Sequence, residues 1–141
     1  MTFGTRNQAA SSRGFGERVS PTILVADDAP AVLAYVAEVL QTHGYHVLEA
    51  VDGVEALKVA AEHSGPIDLL VTDIEMPRLN GLELHRRLRH QRPETRTLFM
   101  SGVSDTVLEP EAAFLSKPFV ARALMRKVSQ VLQATCSGRQ A

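Results

Sequence analysis

The stretch LLVTDIEMPRLNG runs from Leu69 to Gly81. Its first four residues suit a buried strand, yet the run ends on a carboxylate, Asp73. Met76-Pro77 and Asn80-Gly81 then turn the chain twice within eight residues of that acid. A solvated turn has no need of an apolar run to deliver its acid. Asp73 therefore requires a chemical reason.

Outward from that stretch, short apolar runs alternate with amphipathic ones. TILVADD, YHVLEA, IDLLVTD, RTLFMS and AAFLS read as five strands, the first with Ile23, Leu24 and Val25 consecutive. Between Ala29 and His43, Val32, Val36, Val39 and Leu40 recur at helical spacing, with Pro30 suited to the first turn and Gly44 to the stop. DGVEALKVAAEH predicts a second helix with Leu57, Ala60 and Ala61 inward, closed by Gly65-Pro66. GLELHRRLRH predicts a third, with Leu84 and Leu88 on one side. VARALMRKVSQVLQA predicts the last, with Leu124, Val128, Val131 and Leu132 as its buried stripe.

Strand-helix alternation implies an α/β fold, a parallel sheet covered by helices on both faces. In such sheets ligands sit beyond the carboxyl ends of the strands, where the strand order reverses. Asp27 and Asp28 end the first strand, Asp73 the third and Ser101 the fourth, while Lys117 comes just after the fifth. All five polar groups belong at one edge.

The bulk composition sets the outer limits. A chain of 141 residues suits one domain, and 45% apolar residues can fill one core. The formal net charge of −1 gives no global electrostatic case for nucleic acid or an anionic membrane. No apolar run reaches the roughly 20 residues that a membrane span needs. A single cysteine, Cys136, cannot form an internal disulfide, which suits a reducing, cytoplasmic compartment. Residues 1–20 are polar and Gly/Ser-rich and read as a flexible tail or linker. Residues 21–135 read as the folded domain, and 136–141 as a second, disordered tail.

Three converging carboxylates repel one another unless one takes a proton or a cation sits among them. Oxygen ligands suit a hard divalent ion such as Mg²⁺. Lys117 adds a point positive charge and Ser101 a hydroxyl. Acids, a metal, an ammonium and a hydroxyl together suit phosphoryl transfer, in which a carboxylate can itself be the nucleophile.

ILVADDAP, LLVTDIEMPRLNG, MSG and LSKPF resemble, in order and on the expected elements, the motifs of the response-regulator receiver domain. The similarity covers about Thr22 to Ala134. It implies a flavodoxin-like (βα)5 doubly wound five-stranded parallel sheet of strand order 2-1-3-4-5. It also implies that Asp73 accepts a phosphoryl group and that Asp28 binds Mg²⁺ directly, with Asp27 assisting. The backbone carbonyl of Glu75 would be a further ligand. Ser101 would hydrogen-bond a phosphoryl oxygen, Lys117 would hold the group, and Lys117-Pro118 is a candidate cis peptide. Ser101 and Phe114 would form the switch pair. Side chains at Glu75 and Val103 would tune dephosphorylation.

The resemblance further implies a signalling protein that catalyses only its own phosphorylation and dephosphorylation. Its partners would be a histidine kinase or histidine phosphotransfer protein and an unidentified downstream protein, with homodimerisation as an option and no direct nucleic acid. A stand-alone receiver and a piece of a hybrid histidine kinase both fit. One departure stands out: fifteen residues separate Ser101 from Lys117, too few for a full helix and a strand, which predicts a shortened or missing fourth helix.

Competing readings concern the same residues. Asp27 and Asp28 could cap the first helix, and Ser101 could cap the segment after it. A phosphatase resembling the haloacid-dehalogenase group would need acids spaced D-x-D, whereas Asp27 and Asp28 are adjacent. A degenerate receiver serving only as a protein-binding module would need a damaged site, and every expected polar residue is present. The five histidines, His43, His46, His63, His85 and His90, show no metal-ligand spacing and read as surface or packing residues.

Overall fold

The computed structural model describes residues 20–102 and 112–140. The expected N-terminal tail and the expected shortened helix after Ser101, including Val103, fall outside the described residues. Strands β1 (Thr22–Ala26), β2 (His46–Ala50), β3 (Leu69–Asp73), β4 (Arg96–Ser101) and β5 (Ala113–Ser116) alternate with helices. Those among the described residues are α1 (Pro30–Thr42), α2 (Gly53–Glu62), α3 (Gly81–Gln91) and α4 (Ala121–Gln140). The strands form one parallel sheet in the order β2-β1-β3-β4-β5. That is the flavodoxin-like arrangement.

The order explains the layers. The chain leaves β1 in one direction to reach β2, then returns across β1 to β3 and continues to β4. A constant crossover hand therefore puts α1 on one face and α2 and α3 on the other. Side chains along each strand divide accordingly. Ile23, Val25, Leu69, Val71, Leu98 and Met100 meet Leu33, Val36 and Leu40 of α1 and Leu124 and Val128 of α4. Leu24, Ala26 and Leu70 meet Ala56 and Ala60 of α2 and Leu84 and Leu88 of α3. Burying each large aliphatic side chain stabilises by about 1.5–3 kcal/mol, so these two layers hold the strand ends in place.

Two local readings are corrected. Ala61 is exposed, and the buried side of α2 is Gly53, Ala56 and Ala60. Residues four apart share a helix face, whereas Ala61 lies about 100° round from Ala60. The last helix continues to Gln140, past the Ala134 at which its sequence pattern places the end. No proline interrupts the extension, and adding residues to a formed helix costs little.

Arg92 ties the far end of the molecule together. Its guanidinium donates to the carbonyls of Gly65 (2.7 Å), Ala60 (2.9 Å) and His63 (2.8 Å), serving α2's C-terminal end from beyond α3. Arg92→Ala is expected to lower stability by about 1.5–3 kcal/mol, the range for hydrogen bonds to a charged group. The change should appear as a lower urea midpoint at constant slope. Arg92→Lys should recover only part of it, because an ammonium cannot reproduce the planar fork.

Candidate phosphoacceptor site

The site forms at the carboxyl edge, where the sheet order reverses between β1 and β3. Ladder hydrogen bonds continue one residue beyond three strands and fix the first residue past each. Asp27 N–H donates to Ala50 O (3.2 Å), Ile74 N–H to Met100 O (3.0 Å) and Lys117 N–H to Ser101 O (2.9 Å). The last contact sets Lys117 beside Ser101, itself buried at the tip of β4.

Asp27, Asp28 and Asp73 each offer a carboxylate oxygen, and these atoms lie within 4.8 Å of one another. Asp27 is fully buried, Asp73 is 7% exposed and Asp28 faces solvent. Lys117 Nζ lies 2.9 Å from Asp27 Oδ2 and 3.3 Å from Asp73 Oδ1. The other oxygen of Asp27 accepts the Ala29 N–H at 2.9 Å. Ala29 is the N-cap of α1, and no side chain caps it. The alternative that this pair of acids merely caps the helix is thereby set aside.

Electrostatics follow from this crowding. Burial raises the pKa of Asp73 above the ordinary carboxylate value; the negative charges of Asp27 and Asp28 add to the rise, and Lys117 opposes it. Burial pulls the Lys117 ammonium down, but the hydrogen bond and charge of Asp27, with those of Asp73, outweigh it and leave its pKa raised. Three carboxylates around one ammonium leave an excess of two negative charges when all are ionised. An all-oxygen donor set with surplus negative charge fits a hard divalent cation and does not favour a soft one.

The turn after Asp73 is packed as tightly as its sequence suggests. Gly81 N–H donates to Ile74 O at 2.8 Å, closing the base of the loop. A Cβ on Gly81 would fall 2.2 Å from Asp73 O. The Lys117–Pro118 peptide is cis. Glu75 is exposed in the loop. Phe114 is half-buried opposite Phe99, two residues down the ladder from the Ser101–Ser116 pair.

Sequence reasoning missed three residues. Thr72 is fully buried, and its hydroxyl donates to Asp73 O at 2.9 Å. Asp52 caps α2 by accepting the Glu55 N–H at 2.8 Å, and its other oxygen accepts from Arg78 Nε (3.0 Å) and Nη2 (2.5 Å). The D-x-x-E spacing of Asp52 and Glu55 was a readable capping signal. Nothing local marks Arg78.

The profile of the response regulator receiver domain matches residues 23–129. The chain belongs to the response-regulator receiver family. It is 35% identical over 120 residues to the sensor kinase CckA of Brucella abortus, covering 81% of this chain and 13% of the kinase. With the response regulator receiver protein CpdR of the same organism it shares 34% identity over 118 residues, covering 79% of this chain and 97% of CpdR. The crystal structure of the receiver domain from hybrid histidine kinase CckA superposes with a TM-score of 0.70 at 39% identity, covering 79% and 98% of the two chains. The chain thus spans a small part of one relative and nearly all of another. No helix of the described residues is long and apolar enough to cross a membrane.

Asp52 carries a pH-dependent prediction. The Glu55 backbone N–H lowers its pKa most, Arg78 lowers it further, and burial works against both. A depressed folded value means that the ionised form stabilises the native state. That contribution is complete above the ordinary value of 3.8 and disappears as pH falls below it. Asp52→Ala is expected to cost about 1 kcal/mol at pH 7, chiefly as a lost cap, because the Arg78 side chain is 61% exposed and its pair is screened. Denaturant midpoints for the two proteins should begin to converge as pH falls below about 5 and go on converging through the lowered folded value, below which the ionised contribution is lost.

Proposed function

We propose that this receiver accepts a phosphoryl group on Asp73 from a histidine kinase or histidine phosphotransfer protein and relays the change to a partner protein. The observation that carries the reading is the convergence of Asp27, Asp28, Asp73 and Lys117 from three separate strand ends. In the transfer, an Asp73 carboxylate oxygen attacks phosphorus, the P–N bond of the donor phosphohistidine breaks, and the imidazole leaves with its electron pair and takes up a proton. Lys117 holds the incoming group by charge, and the Ser101 hydroxyl donates to one of its oxygens. Mg²⁺, held by Asp27, Asp28, Asp73 and the backbone carbonyl of Glu75, would supply charge neutralisation for the equatorial oxygens.

Transfer replaces a carboxylate with a group of about −1.5 to −2 charge and strong acceptor oxygens. Ser101 and Phe114 form the switch pair in this reading, since Ser101 adjoins the acceptor and Phe114 lies on the neighbouring edge strand. An apolar groove of about 450 Å³ lined by Ala31, Val32, Tyr35, Lys117, Pro118 and Phe119 gives a donor protein a face beside the acceptor. Receiver domains act in signalling, and self-catalysed phosphorylation and dephosphorylation are the extent of the chemistry proposed. A cytoplasmic setting is part of the same reading and is supported by the lone cysteine.

Intact mass after incubation with Mg²⁺ and acetyl phosphate tests it. A gain of one phosphoryl group, labile to hydroxylamine and mapped to the peptide carrying Asp73, is the expected result. No gain from either acetyl phosphate or a phosphorylated histidine phosphotransfer protein would leave the passive protein-binding module as the better description.

A further inference from the structure

We propose that Arg78, anchored on Asp52, is a positioning residue that sets the course of the loop from Ile74 to Asn80 and thereby the affinity of the acidic site for Mg²⁺. The proposal rests on the reading of that cluster as a divalent-cation site. Arg78 has φ +70, and it is the one non-glycine residue with positive φ among the described residues. Across it, Leu79 N–H donates to Pro77 O at 2.7 Å, the hydrogen bond of a γ-turn. That turn with positive φ is rare and strained, and such strain persists only where the surroundings over-determine it.

The surroundings do so here. Two of the Arg78 guanidinium nitrogens reach one oxygen of Asp52, whose side chain is 8% exposed and whose other oxygen is already committed to the start of α2. The anchor is therefore part of a helix end rather than a mobile surface acid. Next to it, a Cβ on Gly53 would lie 2.5 Å from Leu79 O, so the backbone of the loop seats directly on α2. At the other end, Gly81 closes onto Ile74 O. Between these fixed points lies Glu75, and immediately before them lies Asp73. Releasing Arg78 frees the span that carries Glu75 and that follows directly on Asp73 at the tip of β3, without touching any carboxylate of the cluster.

Calorimetric Mg²⁺ titration of the unphosphorylated full chain tests this, with melting curves in metal-free buffer as the folding control. Removal of a residue that orients ligands from outside typically costs 10–100-fold in metal affinity. Arg78→Ala and Asp52→Asn are each expected to raise the Mg²⁺ Kd by about 10-fold, Asn keeping the capping oxygen but losing the charge. The double variant should bind no worse than the weaker single one, because both remove the same contact. Arg78→Gly should lose less affinity than Arg78→Ala, since glycine adopts positive φ freely and the unanchored turn can persist. Wild-type affinity in both single variants, with Mg²⁺ binding intact, would overturn the positioning role and leave the site reading standing. Strictly additive losses in the double variant would overturn the shared-contact account. Absence of Mg²⁺ binding in the wild type would remove the site reading itself, and this inference with it.

Discussion

Asp73→Asn is expected to abolish the phosphoryl gain completely and, in metal-free buffer at pH 7, to melt at a higher temperature than the wild type. The first effect follows from chemistry: an amide oxygen is a poor nucleophile and no aspartyl phosphate can form on it. The second follows from electrostatics. Burial and the neighbouring Asp27 and Asp28 raise the pKa of Asp73, so its ionised form is disfavoured in the folded state relative to the unfolded chain. A raised carboxylate value means native stability is lost as pH rises through it, and an uncharged replacement removes that penalty at neutral pH. Lys117 still has Asp27 at 2.9 Å, so the ammonium is not left unpaired. Mg²⁺ should then raise the melting temperature of the wild type and do so much less for the variant. Differential scanning fluorimetry with and without Mg²⁺, beside intact mass, checks both. A variant less stable than the wild type without metal would mean that the Lys117–Asp73 contact outweighs the crowding.

The acidic cluster was legible because two simple regularities intersect in this sequence. Apolar runs mark where strands end, and the α/β alternation dictates that those ends share an edge. Asp27, Asp28, Asp73 and Lys117 all lie at such ends, so their convergence needed no knowledge of side-chain packing. The Asp52–Arg78 pair lacks any such handle. It joins two loops across 26 positions, through one residue that reads as a helix cap and another that reads as turn solvation. Thr72 was hidden differently, since a β-branched residue inside a strand is ordinary and its hydroxyl matters only through the Asp73 carbonyl beside it. Helix facing was recovered where large side chains set the stripe, as at Leu84 and Leu88. It failed at Ala61, because alanines provide too little contrast to phase a helix.

Gly81→Ala is the severest single change expected outside the carboxylates. The added Cβ would lie 2.2 Å from Asp73 O and 3.0 Å from both Asp73 C and Ile74 Cα. Every one of these is backbone, so no side-chain rotation relieves the clash. The Asp73 carbonyl is also held by the Thr72 hydroxyl, and Gly81 N–H is held by Ile74 O, so neither partner can retreat without losing a hydrogen bond. Overpacking of this kind costs about 3 kcal/mol or more, which for a domain of this size lowers Tm by roughly 10 °C. Gly44→Ala provides the contrast: Gly44 has φ +92 but nothing within 4 Å of an added Cβ. Only the left-handed backbone penalty applies there, about 1–2 kcal/mol. Thermal melts should therefore rank wild type above Gly44→Ala and Gly44→Ala above Gly81→Ala. Any Gly81→Ala protein that still folds must have moved the carbonyl of Asp73, and with it the proposed acceptor. Its phosphorylation by acetyl phosphate should fall further than its stability alone explains, measured well below its melting range. Equal stability of the two alanine variants would show that the backbone around Asp73 yields freely, contrary to the packing seen on both sides of it.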